Sequence, residues 1–209
     1  MRKISALKYI LMLARNIIFQ GVLYMTMGEK VFKIAFTIVF SVVFYLIFNN
    51  ILISVLIAHL LNYIINGQFY VVYRYFDSKA NMTEDSIKNY IAFIRRCITF
   101  FKPLDVLIIG GFSRGHIKCT SDLDIRIYHD NTILKSIKAY LMAATYRFYG
   151  LIVGFPIDVF CFSDLKFLDK IRKDEIPVNF LFNNDVLRKY PTSPNYKIQL
   201  NNIKYDKKN

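Results

Sequence analysis

From Ile34 to Ala58 the chain carries no charged side chain, and beyond His59 the apolar run continues to Ile65. A membrane-crossing helix needs about 20 apolar residues, so the run is too long for one span. Asn49 and Asn50 interrupt it, and paired asparagines favour a turn. The pattern predicts a transmembrane hairpin within 31–67, with helices over about Phe32–Phe48 and Ile51–Ile65. Each is slightly short for a full bilayer, which calls for local thinning. His59 and Asn62, polar within this run, are expected to hydrogen-bond a neighbouring helix.

Lys30 and Lys33 precede the run, Arg74 and Lys79 follow it, and the Asn49-Asn50 turn carries no charge. Basic flanks at both ends place the membrane-attached chain with its soluble part on the cytoplasmic side. Residues 1–30 are apolar but interrupted by Lys8, Arg15, Asn16 and Gln20, as in an amphipathic helix lying in the interface. Residues 68–82 combine the aromatic stretch Gln68–Phe76, an expected interface belt around Arg74, with a polar linker from Asp77 to Met82.

The pattern then changes. Thr83 is placed to cap a helix whose apolar positions Ile87, Tyr90, Ile91, Ile94 and Ile98 recur at helical spacing until Pro103. Val106–Ile109 reads as a short buried strand, Gly110–Gly115 as a tight turn, and Ser121–Tyr128 as an alternating strand. A helix from Asn131 or Thr132 to about Tyr149, a strand over Ile157–Phe162 and a helix from Ser163 to about Asp174 follow. Residues 83–190 therefore form an α/β domain large enough for its own core. The tail over 191–209 is polar and expected to be loose.

Composition sharpens this division. Hydrophobic residues make up 55% of the chain while the formal charge is +13, a pairing that suits an apolar anchor joined to a basic domain. The charge is compatible with nucleic acid, anionic headgroups or a triphosphate. Cys97, Cys119 and Cys161 fall at no metal-ligand spacing and form no disulfide framework.

The chemistry concentrates in VLIIGGFSRGHIKCTSDLDIRIYHD. Side chains two apart on a strand project the same way, so Asp122 and Asp124 point together while Leu123 and Ile125 face the core. Adjacent carboxylates repel, and a divalent cation relieves the conflict. Gly110 and Gly111 allow close backbone approach to a ligand, and Ser113, Arg114 and the turn N–H groups can meet phosphate oxygens.

In these words the sequence resembles the polymerase-β-like nucleotidyltransferases, especially the minimal and aminoglycoside-type members. Gly110, Gly111 and Ser113 match the family's glycine turn, Asp122 and Asp124 its paired aspartates, and Asp158 in PIDVFCF its third carboxylate. The match runs from Val106 to Phe162 and leaves out the membrane segment. The resemblance implies an α/β (α+β) fold, a small mixed sheet flanked by helices. It implies transfer of a nucleoside monophosphate from an NTP to an acceptor hydroxyl. Asp122, Asp124 and Asp158 would be catalytic and would ligate two Mg²⁺ ions (or Mn²⁺), with Gly110, Gly111, Ser113 and Arg114 on the nucleotide. A membrane location favours an acceptor at the bilayer surface. A catalytically silent nucleotide-binding module on the same fold is the alternative, and nucleic-acid binding ranks last. Arg126 is expected as a solvated charge, and His116 and His129 as surface residues.

Overall fold

The computed structural model describes residues 6–19, 22, 25–66, 83–101, 105–118, 121–181 and 184–206. The expected interface belt and linker, together with Cys119 and Pro103, lie outside the described residues. Helix α1 covers Ala6–Phe19, α2 Met27–Phe48 and α3 Ile51–Asn66. The domain follows as α4 (Glu84–Phe101), β1 (Asp105–Ile109), β2 (His116–Lys118), β3 (Leu123–Tyr128), α5 (Ile133–Val153) and β4 (Ile157–Phe162). A 3-10 helix over Leu165–Lys170 leads to β5 (Val178–Leu181), α6 (Asn184–Lys189), α7 (Tyr196–Asn202) and β6 (Lys204–Asp206).

Helix α2 has 22 residues, a mean hydropathy of 2.4 and only 6% of its most apolar window buried, so it is long and apolar enough to cross a membrane. It begins ahead of the apolar run because Thr26 caps it, accepting from the Glu29 N–H at 3.4 Å. The asparagine pair makes the turn. Asn49 takes the left-handed C-cap conformation (φ 48°), and the Asn50 side chain accepts from the Ile53 N–H at 3.1 Å to start α3. Asn62 donates from α3 to the Lys33 carbonyl at 2.9 Å and the Thr37 hydroxyl at 2.7 Å on α2. His59 meets the Ile17 carbonyl of α1 at 3.0 Å, so both polar residues bond neighbouring helices as expected.

The domain is mixed α/β around a four-stranded sheet of order β4-β3-β1-β5. Strand β1 is antiparallel to β3 and to β5, while β3 and β4 run parallel. Alternation along the strands sends Val106, Ile108, Leu123, Ile125, Ile127, Ile157 and Val159 into one core with α4 and α5. Leu107 and Phe162 point the other way, into a smaller cluster with Leu168 and Val186. Both faces are thus covered, and polar side chains on the second face sit in a partly desolvated layer.

Several elements depart from the sequence pattern. The helix expected from Ser163 is a single 3-10 stretch capped by Asp164, which accepts from the Lys166 N–H at 2.8 Å. The tail is not loose in its described part. It forms α7 and then β6, which pairs in parallel with β2, and neither β2 nor β6 has enough alternation over three residues to be seen as a strand.

The helical hairpin joins the domain through a buried ion pair. Glu29 and Arg147, with side chains 1% and 3% exposed, meet at 2.5 Å between α2 and α5. Arg147 also donates to the Val159 carbonyl. The second Glu29 oxygen accepts from the Cys161 N–H at 3.4 Å, satisfying a donor on β4, an edge strand of the sheet. Nearby, Phe32 of α2 packs on Tyr140 of α5 at 5.5 Å between ring centroids. Truncating one member of such a pair strands the other charge out of water at a cost of about 3–5 kcal/mol. Glu29→Ala should therefore lower unfolding stability by that order in detergent denaturation, whereas Lys170→Ala, at an exposed site, should leave it nearly unchanged.

Candidate functional site

Parallel register sets Asp124 of β3 directly opposite Asp158 of β4. Both lie on the second sheet face, with side chains 24% and 17% exposed. Asp122 lies just before β3, which starts at Leu123 rather than Ser121, so the first aspartate comes from the entering loop and not from the strand itself. It stays close enough for its charge to raise the pKa of both Asp124 and Asp158. Of the three aspartates picked out in the sequence, the register brings Asp124 and Asp158 together, with Asp122 near them on the entering loop.

Arg126 is not the solvated charge expected. It shares the aspartates' face by strand alternation and is 8% exposed. Its guanidinium lies 3.3 Å from Asp158 and 3.6 Å from Asp124, donates to the Asp158 carbonyl at 3.1 Å, and sits over the Phe160 ring at 5.0 Å. The second cluster covers this face and keeps water away, which is why a charged residue here ends up paired. His129 is also buried rather than on the surface, with Nδ1 2.8 Å from the Asp130 carbonyl and 3.2 Å from the Ser136 hydroxyl. His116 is exposed, as expected.

Burial pushes the Asp124 carboxyl up to about 7; Arg126 opposes the shift, and Asp122, Asp158 and Glu175 add to it. Burial likewise raises Asp158, with Arg126 opposing and Asp122 reinforcing. The cluster therefore holds more acid than one guanidinium neutralises, as partly buried carboxylates in a group must. Among the described residues, no three acidic, histidine or cysteine side chains converge tightly enough to form a ready metal centre. Arg126 supplies the cation between Asp124 and Asp158.

The glycine turn stands at the end of β1 beside these carboxylates. Gly110 has φ 76°, and a Cβ there would run into the Asp124 carboxylate. At Gly111 a Cβ would come within 2.8 Å of the His116 carbonyl oxygen. Neither position admits a larger residue without moving the backbone or the acid, which is a stronger requirement than a simple turn.

The sequence did not reveal what fills this turn. Glu175, 7% exposed, accepts from the Gly110 N–H, from the Ser113 hydroxyl at 3.2 Å and from Arg114 at 3.4 Å. These are the groups expected to receive phosphate, so the turn does bind an anion and its resident is a carboxylate. Gln199 of α7 braces the opposite side, donating to the carbonyls of Phe112 at 2.8 Å and Ser113 at 3.0 Å. Glu175 and Gln199 belong to segments with no motif, and only their contacts across the fold identify them.

Basic charge gathers elsewhere. A cleft of about 440 Å³ between α4 and α7 is lined by Lys88, Arg95, Arg96 and Lys197 with Tyr196. A second, of about 380 Å³, lies on the other side of α4 and ends at Phe155. None of the three aspartates lines either one.

A carboxyl whose folded pKa lies above its ordinary value of 3.8 is held preferentially in its protonated form. Its contribution to stability is full below that value and is lost as pH rises through about 7. In chelator, the melting temperature should fall between pH 5 and pH 8, and Asp124→Asn should flatten that fall. A slope unchanged by the substitution would assign the effect to other groups. Comparison with known proteins matches the chain to no family model, no curated protein and no solved structure.

Proposed function

We propose that the chain is a membrane-attached nucleotidyltransferase of the polymerase-β-like kind, moving a nucleoside monophosphate from an NTP to an acceptor hydroxyl. The observation that carries the reading is the register of Asp124 against Asp158 beside an anion-binding glycine turn. A mixed sheet with β3 between an antiparallel β1 and a parallel β4 supports it, because that order brings the turn and both strand aspartates to one place.

The donor set is all carboxylate oxygen, which suits Mg²⁺. Asp122, Asp124 and Asp158 would hold it, with Arg126 swinging away from between them. With magnesium bound, phosphate charge is neutralised and the acceptor hydroxyl becomes more acidic. The chain's own residues do the rest. The Gly110 N–H and the Ser113 hydroxyl bind phosphate oxygens, and Arg114 adds a cation at the turn's rim. Asp158, with its raised pKa, is suited to take the acceptor's proton. The acceptor oxygen bonds to the α-phosphorus as the α–β phosphoanhydride bond breaks, and pyrophosphate leaves. Alignment and charge stabilisation account for most of the acceleration.

The membrane reading adds a location. Helix α2 meets the requirements for a span, and α3, apolar over Ile51–Ile65, returns the chain as a hairpin. The basic flanks put the domain on the cytoplasmic side. An acceptor at the bilayer surface, such as a lipid-linked hydroxyl, fits that placement.

One observation favours the second reading, a module that binds nucleotide without turnover. Arg126 and Glu175 hold the positions that a cation and a phosphate would take. Incubating membranes that contain the protein with each labelled NTP separates the readings. Label should pass to an acceptor, and Asp122→Asn with Asp124→Asn should abolish it. Magnesium-dependent NTP binding without label transfer would establish the silent module, and label undiminished in the double variant would exclude these aspartates from catalysis. Glu175→Gln removes the competing negative charge while keeping a carbonyl oxygen for the Gly110 N–H. It should tighten Mg-NTP binding several-fold in a titration, and weaker binding would make Glu175 part of the nucleotide site instead of its competitor.

A further inference from the structure

Helix α5 has three faces, and the domain core and the hairpin account for two. Ala139, Met142, Ala143 and Tyr146 pack into the main core. Tyr140 and Arg147 meet the hairpin, through Phe32 and Glu29 of α2. The third face is apolar and uncovered. Leu134, Ile137, Leu141, Phe148 and Ile152 recur at spacings of three, four and seven residues, with relative exposures of 65, 42, 44, 42 and 65%. Side chains at those intervals form one stripe down a helix. A soluble surface carries single exposed apolar residues without consequence, but five on one helix face, interrupted by Thr145 alone, mark a contact.

We infer that this stripe rests in the lipid interface, so that α5 lies along the bilayer and seats the domain against it. The occupant follows from continuity with the hairpin, and the inference rests on the hairpin's being in the membrane. The contacts of α2 with the domain are made by its first two turns, at Gly28, Glu29 and Phe32. Beyond them its bonded partners are on α2 and α3, and the charge-free run begins at Ile34. The helix advances about 1.5 Å per residue, so lipid-facing residues start within about one turn of the α5 contact. Helix α3 packs against α5 as well, so α5 lies at the foot of both hairpin helices. Lys138, at the stripe's margin, is only half-buried and placed to reach headgroups with its charge. An amphipathic helix at an interface buries its apolar face about 5–10 Å into the headgroup and acyl boundary. Together, the hairpin and the stripe would fix the domain's orientation as well as its attachment.

The test uses the full chain with Cys119 replaced by serine and the buried Cys97 and Cys161 by alanine. Single cysteines are introduced at Leu141, Phe148 and Ile152, with Val43→Cys on α2 and Lys170→Cys on the 3-10 helix as references, and each is labelled with an environment-sensitive fluorophore. The protein is reconstituted into phosphatidylcholine–phosphatidylglycerol vesicles containing lipids spin-labelled at a shallow or a deep acyl carbon. The shallow quencher should cause loss of emission at Leu141→Cys, Phe148→Cys and Ile152→Cys, the deep one at Val43→Cys, and neither at Lys170→Cys. Quenching at Val43→Cys with stripe positions matching Lys170→Cys would overturn the inference and leave the hairpin in place. Stripe positions shielded from both lipid and aqueous quenchers would assign the face to a protein partner and overturn it equally. Absence of quenching at Val43→Cys as well would remove the hairpin reading and this inference together.

Discussion

Like charges crowded on one partly buried sheet face govern this structure. Asp124 and Asp158 face each other across parallel strands, Asp122 adds a third charge from the entering loop, and Glu175 approaches from the turn. Carboxylates removed from water repel each other and prefer their protons unless a cation compensates. The fold supplies one such cation in Arg126, fixed over Phe160 and bonded to the Asp158 carbonyl. The shape of the site then follows. Gly110 has to lack a side chain because the Asp124 carboxylate fills that space, and its own N–H is aimed where negative charge gathers.

A cluster satisfied from within is in a resting arrangement. Its acids have a guanidinium and its turn has a carboxylate, so under the proposed function a metal and a phosphate arriving together would exchange like for like. Arg126 and Glu175 are bonded to groups on β3, β4 and the turn, and both would have to give those bonds up. Such an exchange costs less than creating charge in an empty pocket, because the local field is already set. It also means that either incoming charge alone meets resistance from the resident it leaves uncompensated.

Much of the frame was legible because its signals are local. The apolar run with its asparagine pair gave both hairpin helices, since one asparagine could adopt the left-handed cap and the next could cap the following helix. Alternation placed β1, β3 and β4 within a residue or two, and the glycine turn with its aspartates marked the site. What escaped depends on partners distant in sequence. Arg126 and His129 looked solvent-facing because alternation identifies a face but cannot say whether that face is covered. Glu175 and Gln199 have no pattern of their own. The start of α2 was missed because Lys30 and Lys33 read as flanking charges, while the fold buries Lys33 and, one turn earlier, Glu29, the latter against an arginine more than a hundred residues away.

The pairing of β6 with β2 makes the glycine turn depend on residues remote from it in sequence. Residues that steady the glycine turn from behind, Gln199 by its amide and Lys204 through its N–H to the Gly115 carbonyl, are among the last described residues of the chain. Fraying of β6 from β2 would therefore loosen the turn from behind while leaving the four-stranded sheet and its facing aspartates in place.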